Sequence, residues 1–194
     1  MIKLFFSGDT VITENKQIIS KNLEDIIKSS HLSFCNFEGP ILKKNKSKSI
    51  KSGPLIQQNS NAVKILKKSG FKILNLANNH ILDYGEDSLI STIDEIKRND
   101  LQFIGIRTPH ENISYKNYLI EGNKVSIISC GENGFGCENY LENKIGYPWL
   151  FSSKLVEKIQ FLKNKNHTVI LSVHAGLEME YIPLKQFREK YKEL

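Results

Sequence analysis

Several polar side chains stand where apolar runs of the sequence end. Asp9 closes Ser7-Gly8-Asp9, Asn36 and Glu38 flank Phe37, Asn79 and His80 follow Ile73–Ala77 with Asp83 three residues on, and His174 follows His167–Val173, with Glu178 beyond it. Together these groups offer carboxylate oxygens, amide oxygens and imidazole nitrogens, a donor set suited to Mn, Fe or Zn rather than to calcium. A carboxylate set between two ions can bridge them, and each ion can activate water and stabilise charge developing on a phosphoryl oxygen. A histidine left unligated beside such ions is placed to act as a general acid toward the leaving group. Each residue also has a plainer reading. Asp9 after glycine suits a turn, Asn36 and Glu38 suit a loop cap, Asn78 and Asn79 suit satisfied turn amides, and His174 suits a core histidine bonded to a carbonyl. His31, His110 and His167 lie at segment starts or in a polar turn and read as structural or solvent-exposed.

The runs that must position these groups alternate in period. Ile2–Phe6 reads as a first strand, with Ser7-Gly8-Asp9-Thr10 turning the chain. Apolar residues within Ile18–Ile27 have helical spacing, His31–Phe37 reads as a second strand, and Asn59–Ser69 as a helix with Ala62, Val63, Ile65 and Leu66 inward. Phe71–Ala77 is the central strand, followed by a helix over Glu86–Asn99 buried through Leu89, Ile90, Ile93 and Ile96, and by a strand over Leu101–Ile106. Tyr115–Ile120 and Lys124–Cys130 flank Glu121-Gly122-Asn123 and predict a hairpin. Gly131–Trp149 is a long loop, Ser152 a helix cap, His167–Val173 a last buried strand, and Pro183 the first residue of a terminal helix. Strands alternating with helices predict an α/β fold, and the hairpin predicts mixed rather than purely parallel sheets. Strand tips line the crevice of such a fold, where a site is expected.

The composition excludes several classes. The chain has 194 residues, 40% hydrophobic and 25% charged, which is neither a disordered nor a membrane-spanning balance. No apolar run reaches the roughly 18–20 residues a bilayer-spanning helix needs. The apolar start is too short for a signal-peptide hydrophobic region, so as given the chain reads as cytoplasmic or as having lost an export segment. The net charge of +6 comes largely from lysine, and Lys43, Lys44, Lys46, Lys48 and Lys51 share one stretch without aromatic partners. That is a solvated lysine-rich loop, or a loop near an anionic substrate, rather than a nucleic-acid surface. Cys35, Cys130 and Cys137 form no closely spaced pair and imply no disulfide framework.

One ordered set of motifs resembles a known family. Ser7-Gly8-Asp9, Asn36-Phe37-Glu38-Gly39-Pro40, Leu76-Ala77-Asn78-Asn79-His80 with Asp83-Tyr84-Gly85, Thr92 leading to Phe103-Ile104-Gly105, and Val173-His174-Ala175-Gly176 with Glu178 follow one another as in CapA-type proteins of bacterial capsule (poly-γ-glutamate) synthesis. That family is related to the calcineurin-like metallophosphoesterases. The resemblance implies a metallophosphoesterase-like layered sandwich, with mixed β-sheets flanked by helices, over a single domain of residues 1–194. It implies Asp9 and Glu38 as the first and the bridging metal carboxylate, Asn79 and His174 as further metal ligands, and His80 as the catalytic acid. Asn36, Asp83 and Glu178 fall to supporting roles, and the cofactor would be one or two divalent ions of Mn, Fe or Zn. Two departures qualify it: Val11 stands where phosphoesterases carry a histidine, and the chain stops at Leu194 before the family's Gly-x-His-x-His segment. The chain therefore reads as C-terminally truncated, and a site without those histidines is expected to bind metal weakly.

The function expected on this basis is surface-polymer biosynthesis with metal-dependent hydrolysis or transfer at a phosphate-bearing, anionic substrate. Other capsule-synthesis subunits are the expected partners, and family members are often membrane-associated. The alternatives are a small-molecule metallophosphoesterase and a non-catalytic scaffold subunit.

Overall fold

A computed structural model describes residues 1–16, 19–42, 48–107, 113–137, 145–177 and 179–194. The first part of the chain alternates strand and helix: β1 (Leu4–Thr10), α1 (Lys21–Lys28), β2 (Leu32–Phe37), α2 (Ala62–Lys68), β3 (Ile73–Asn75), α3 (Gly85–Arg98) and β4 (Gln102–Ile104). These strands form one parallel sheet in the order β1-β2-β3-β4. Each crossover moves one place in the same direction. Because such connections are right-handed, all three helices fall on one face of the sheet and leave the other free.

The free face is covered by a second sheet, built from β5 (Tyr115–Ile120), β6 (Asn123–Gly131) and β7 (Thr168–His174). β5 and β6 form the expected antiparallel hairpin, and β7 runs parallel to β6. The mixed character therefore belongs to the second sheet alone, and the first is purely parallel. Helices α4 (Ser153–Asn164) and α5 (Lys185–Glu193) pack on the outer face of that second sheet through Leu155, Ile159, Leu162 and Phe187. The layers are helix, sheet, sheet, helix, with Phe34, Ile73, Ile104, Val125 and Ile127 filling the space between the sheets.

Several local expectations change. β1 does not end at Phe6: its pairing with β2 continues to Thr10 across a register shift between Ser7 and Asp9, so the Ser-Gly-Asp-Thr segment is a bulged strand rather than a turn. A bulge bends the strand and re-aims the side chain that follows it. β3 is shorter than predicted, and Ile90 is half-exposed because it lies outside the arc set by Leu89, Ile93 and Ile96. Pro183 precedes α5 instead of starting it, because the helix begins at Lys185 with Leu184 as its cap. Ser152 is the residue before α4, as expected, but its side chain makes no cap bond. Ile18, Lys43, Lys44, Lys46, His110 and Glu178 lie outside the described residues.

Candidate metal centre

The carboxyl ends of β1, β2, β3 and β7 meet at one edge of the two-sheet stack. β1 and β2 are in register there, with Asp9 opposite Asn36. Glu38 leaves the first residue after β2, while β7 brings His174 from the second sheet. Ligating atoms of Asp9, Glu38 and His174 all lie within 4.8 Å of one another. These three come from positions 9, 38 and 174, so only the tertiary fold unites them.

The side chains around the cluster are bonded in series. The Asn36 amide donates to Asp9 Oδ1 over 2.5 Å and lies 3.2 Å from His174 Nδ1. On its other side the His174 ring places Nε2 3.0 Å from Asn79 Oδ1. Asn36 Oδ1 in turn accepts from the amides of Asn75 at 3.1 Å and Asn78 at 3.3 Å. Asn78, read from sequence as a turn amide, also receives the backbone N–H of His80 and donates to the Phe37 carbonyl. A buried asparagine with every group engaged fixes its neighbours more firmly than an apolar residue of the same size.

The electrostatics follow from two carboxylates placed together. Burial pushes Glu38 up to about 7, and the neighbouring Asp9 charge adds to the rise. Asp9 moves the other way: its bond to His174 holds it well below the usual carboxylate range, against a smaller opposing effect of burial. Burial alone would lower His174, but its bond to Asp9 and the charges of Asp9, Glu38 and Glu132 outweigh that and raise it. A cation between these groups would relieve the repulsion that the proton on Glu38 relieves otherwise. The donor set thus suits a divalent ion, with oxygen and imidazole ligands together.

His80 stands beside this cluster, 3.7 Å from Glu38 through Nε2, and its Nδ1 lies 2.7 Å from Asp83 Oδ2. Asp83 is fully buried. The structure thus brings together Asp9, Asn36, Glu38, Asn79, His80, Asp83 and His174; Glu178 lies outside the described residues.

The sequence profile described as bacterial capsule synthesis protein PGA_cap matches residues 3–194. The chain belongs to this family. Among PGA_cap relatives, the PGA biosynthesis protein CapA of Bacillus subtilis is 26% identical over 187 residues, which is 92% of this chain and 48% of that protein. The capsule biosynthesis protein CapA of Bacillus anthracis is 34% identical over 116 residues, 57% of this chain and 28% of that protein. The chain therefore spans about half, or less, of the length of these curated relatives. In architecture this PGA_cap chain is similar to the NAD nucleotidase of Haemophilus influenzae, with a TM-score of 0.55 at 16% identity, over 91% of this chain and 34% of that one. At that identity the likeness shows the fold alone, the layered α/β sandwich of metallophosphoesterase type that the motifs implied.

Two further residues next to this candidate site are not singled out by the sequence. Lys51 falls in the lysine-rich stretch read as a solvated loop or a loop near an anionic substrate, and its ammonium pairs with Asp83 beside His80. Nothing in the spacing of the neighbouring lysines distinguishes it. Glu132 directly follows β6, accepts the backbone N–H of Gly176 and is raised by burial near His174. The strand-end rule that found Asp9 and His174 would have found it too. Among the described residues no helix is long and apolar enough to cross a membrane.

Proposed function

We propose that this chain acts in bacterial capsule (poly-γ-glutamate) synthesis and that its site performs metal-dependent hydrolysis or transfer at a phosphate or acyl-phosphate centre. The observation that carries the reading is the convergence of Asp9, Glu38 and His174 within mutual ligating distance at the strand tips. Asp9, Glu38, His174 and Asn79 would hold a divalent ion. When bound, the ion would supply Lewis-acid polarisation and an activated water. Asn36 would keep Asp9 and His174 oriented by its bonds to both. His80 would deliver a proton from Nε2 to the leaving oxygen, while Asp83 at Nδ1 holds the ring and stabilises its charged form. Residues 1–194 would work as one unit in this reading. Other subunits of a polymer-synthesis complex are the partners it implies.

The test is metal content and phosphatase turnover of the purified chain with added Mn²⁺, beside His80→Ala. The expected result is bound metal in both proteins, with turnover reduced about 10²–10⁴-fold in the variant, the contribution typical of a positioned general acid. Metal binding without turnover in the unmodified chain would favour a non-catalytic scaffold. Absence of both would reject the metal-centre reading.

A further inference from the structure

Lys51 belongs to a segment that is bound to the turn carrying His80. Ser49 donates its backbone N–H to the Asp83 carbonyl over 2.9 Å and its hydroxyl to the Leu82 carbonyl over 2.7 Å. The backbone N–H of Ile56 donates to Asp83 Oδ2 over 2.7 Å. Between these anchors the Lys51 side chain turns inward and is only 9% exposed. Its ammonium pairs with Asp83 Oδ1, lies 3.1 Å from the Asn79 carbonyl and 3.1 Å from His80 Nδ1, and stands 5.2 Å from the Phe135 ring centroid.

The protons around His80 can be assigned from donor and acceptor capacity. Ionised Asp83 is acceptor-only and an ammonium is donor-only. Nδ1 of His80 faces both Asp83 Oδ2 at 2.7 Å and the Lys51 ammonium at 3.1 Å, and the shorter contact assigns the hydrogen to Nδ1, which donates it to the carboxylate. The ammonium then pairs with the charge on Asp83 Oδ1 and donates to the Asn79 carbonyl, which also ties down the residue next to His80. Nε2 is left turned toward Glu38. Without Lys51 the buried carboxylate would keep an uncompensated charge and would have to move, recruit water or take a proton. Any of these frees the imidazole.

We propose that Lys51 is a positioning residue for His80: by holding the Asp83 carboxylate it fixes the proton on His80 Nδ1 and aims Nε2 at the Asp9–Glu38–His174 cluster. The role rests on the reading of His80 as the proton donor, but the ring geometry can be tested apart from turnover.

The experiment is a long-range ¹H–¹⁵N spectrum of the histidine rings in the Zn²⁺-loaded chain, recorded for the unmodified protein, Lys51→Met and Lys51→Gln, with Mn²⁺-supported p-nitrophenyl phosphate turnover measured alongside. The expected wild-type spectrum places the His80 ring hydrogen on Nδ1. Either variant is expected to lose that signature and to show mixed tautomers. Zn²⁺ binding should persist, because Lys51 touches none of Asp9, Glu38 and His174 and reaches Asn79 only at its backbone carbonyl, while kcat falls about tenfold or more with KM little changed. A wild-type His80 with no proton on Nδ1 would overturn the proposal even if neither variant folds. So would a folded variant that keeps the wild-type ring signature. If the signature changes as expected but the unmodified chain turns nothing over, Lys51 still positions the ring and it is the catalytic reading of His80 that fails.

Discussion

At Glu38 a proton would compete with a metal ion for the same atoms. Its carboxyl is pushed up to about 7 by burial and by Asp9, so below that pH it carries a proton that an incoming ion must displace. His174 is also raised, and its ring must be neutral to ligate. Asp9 is lowered and already ionised, so it adds no dependence near neutrality. The sign follows: affinity for Mn²⁺ or Zn²⁺ falls as pH drops through about 7, by about tenfold per unit for each proton displaced, and the raised His174 adds to the dependence in the same direction. Titration calorimetry between pH 5.5 and 8.5 would show this slope. Glu38→Gln should flatten it by removing one of the protons. The same variant should weaken binding by more than the roughly 10–100-fold that loss of an outer hydrogen-bond partner costs. A pH-independent affinity would place the ion away from Glu38.

The elements hold these atoms through close backbone approach, and Gly105 just after β4 is the tightest example. Its φ is +95°, and a Cβ there would lie 2.4 Å from Asn75 Oδ1 and 2.5 Å from the Ala77 nitrogen. Gly105→Ala therefore combines left-handed backbone strain with a collision against two polar atoms at the end of β3. The expected cost is roughly 1–3 kcal/mol, or a Tm lower by about 2–4 °C for each kcal/mol at this chain length. Thermal unfolding by circular dichroism would measure it, and an unchanged Tm would mean that β3 and β4 can separate freely. This contact also shows what the sequence could and could not reveal. Apolar periodicity located β2, β3, α2 and α3 because each buries a regular face. It missed the bulge in β1, since Ser-Gly-Asp-Thr is chemically a turn and only pairing with β2 makes it a strand. Strand-end polarity singled out Asp9, Asn36, Glu38, Asn79, His80 and His174, which the fold brings to one edge of the sheets. Lys51 and the Asn75–Ser129 contact stayed hidden because they depend on which remote segment packs against the site, and local spacing carries no record of that.

At the scale of the whole molecule, the site exists only if the two sheets keep their alignment, because Asp9 and Glu38 belong to the first and His174 to the second. Apolar packing between the sheets is non-directional and tolerates small sliding. A polar bond does not. Ser129 of β6, fully buried, donates to Asn75 Oδ1 of β3 over 2.5 Å. Asn75 donates to Asn36, and Asn36 to Asp9, so a chain of hydrogen bonds runs from the second sheet to Asp9 at the candidate metal centre. Ser129→Ala should cost about 0.5–1.5 kcal/mol in stability for the lost bond. Ile127→Val, in the apolar layer between the sheets, should cost a similar 0.5–1.5 kcal/mol by removing one buried methyl. The two variants thus match in stability and differ in what they break. If the polar chain carries the alignment, Ser129→Ala weakens Zn²⁺ binding severalfold while Ile127→Val leaves it nearly unchanged. Equal effects on affinity would mean that packing alone sets how β7 stands over β1, and that the asparagine ladder only satisfies its own buried amides.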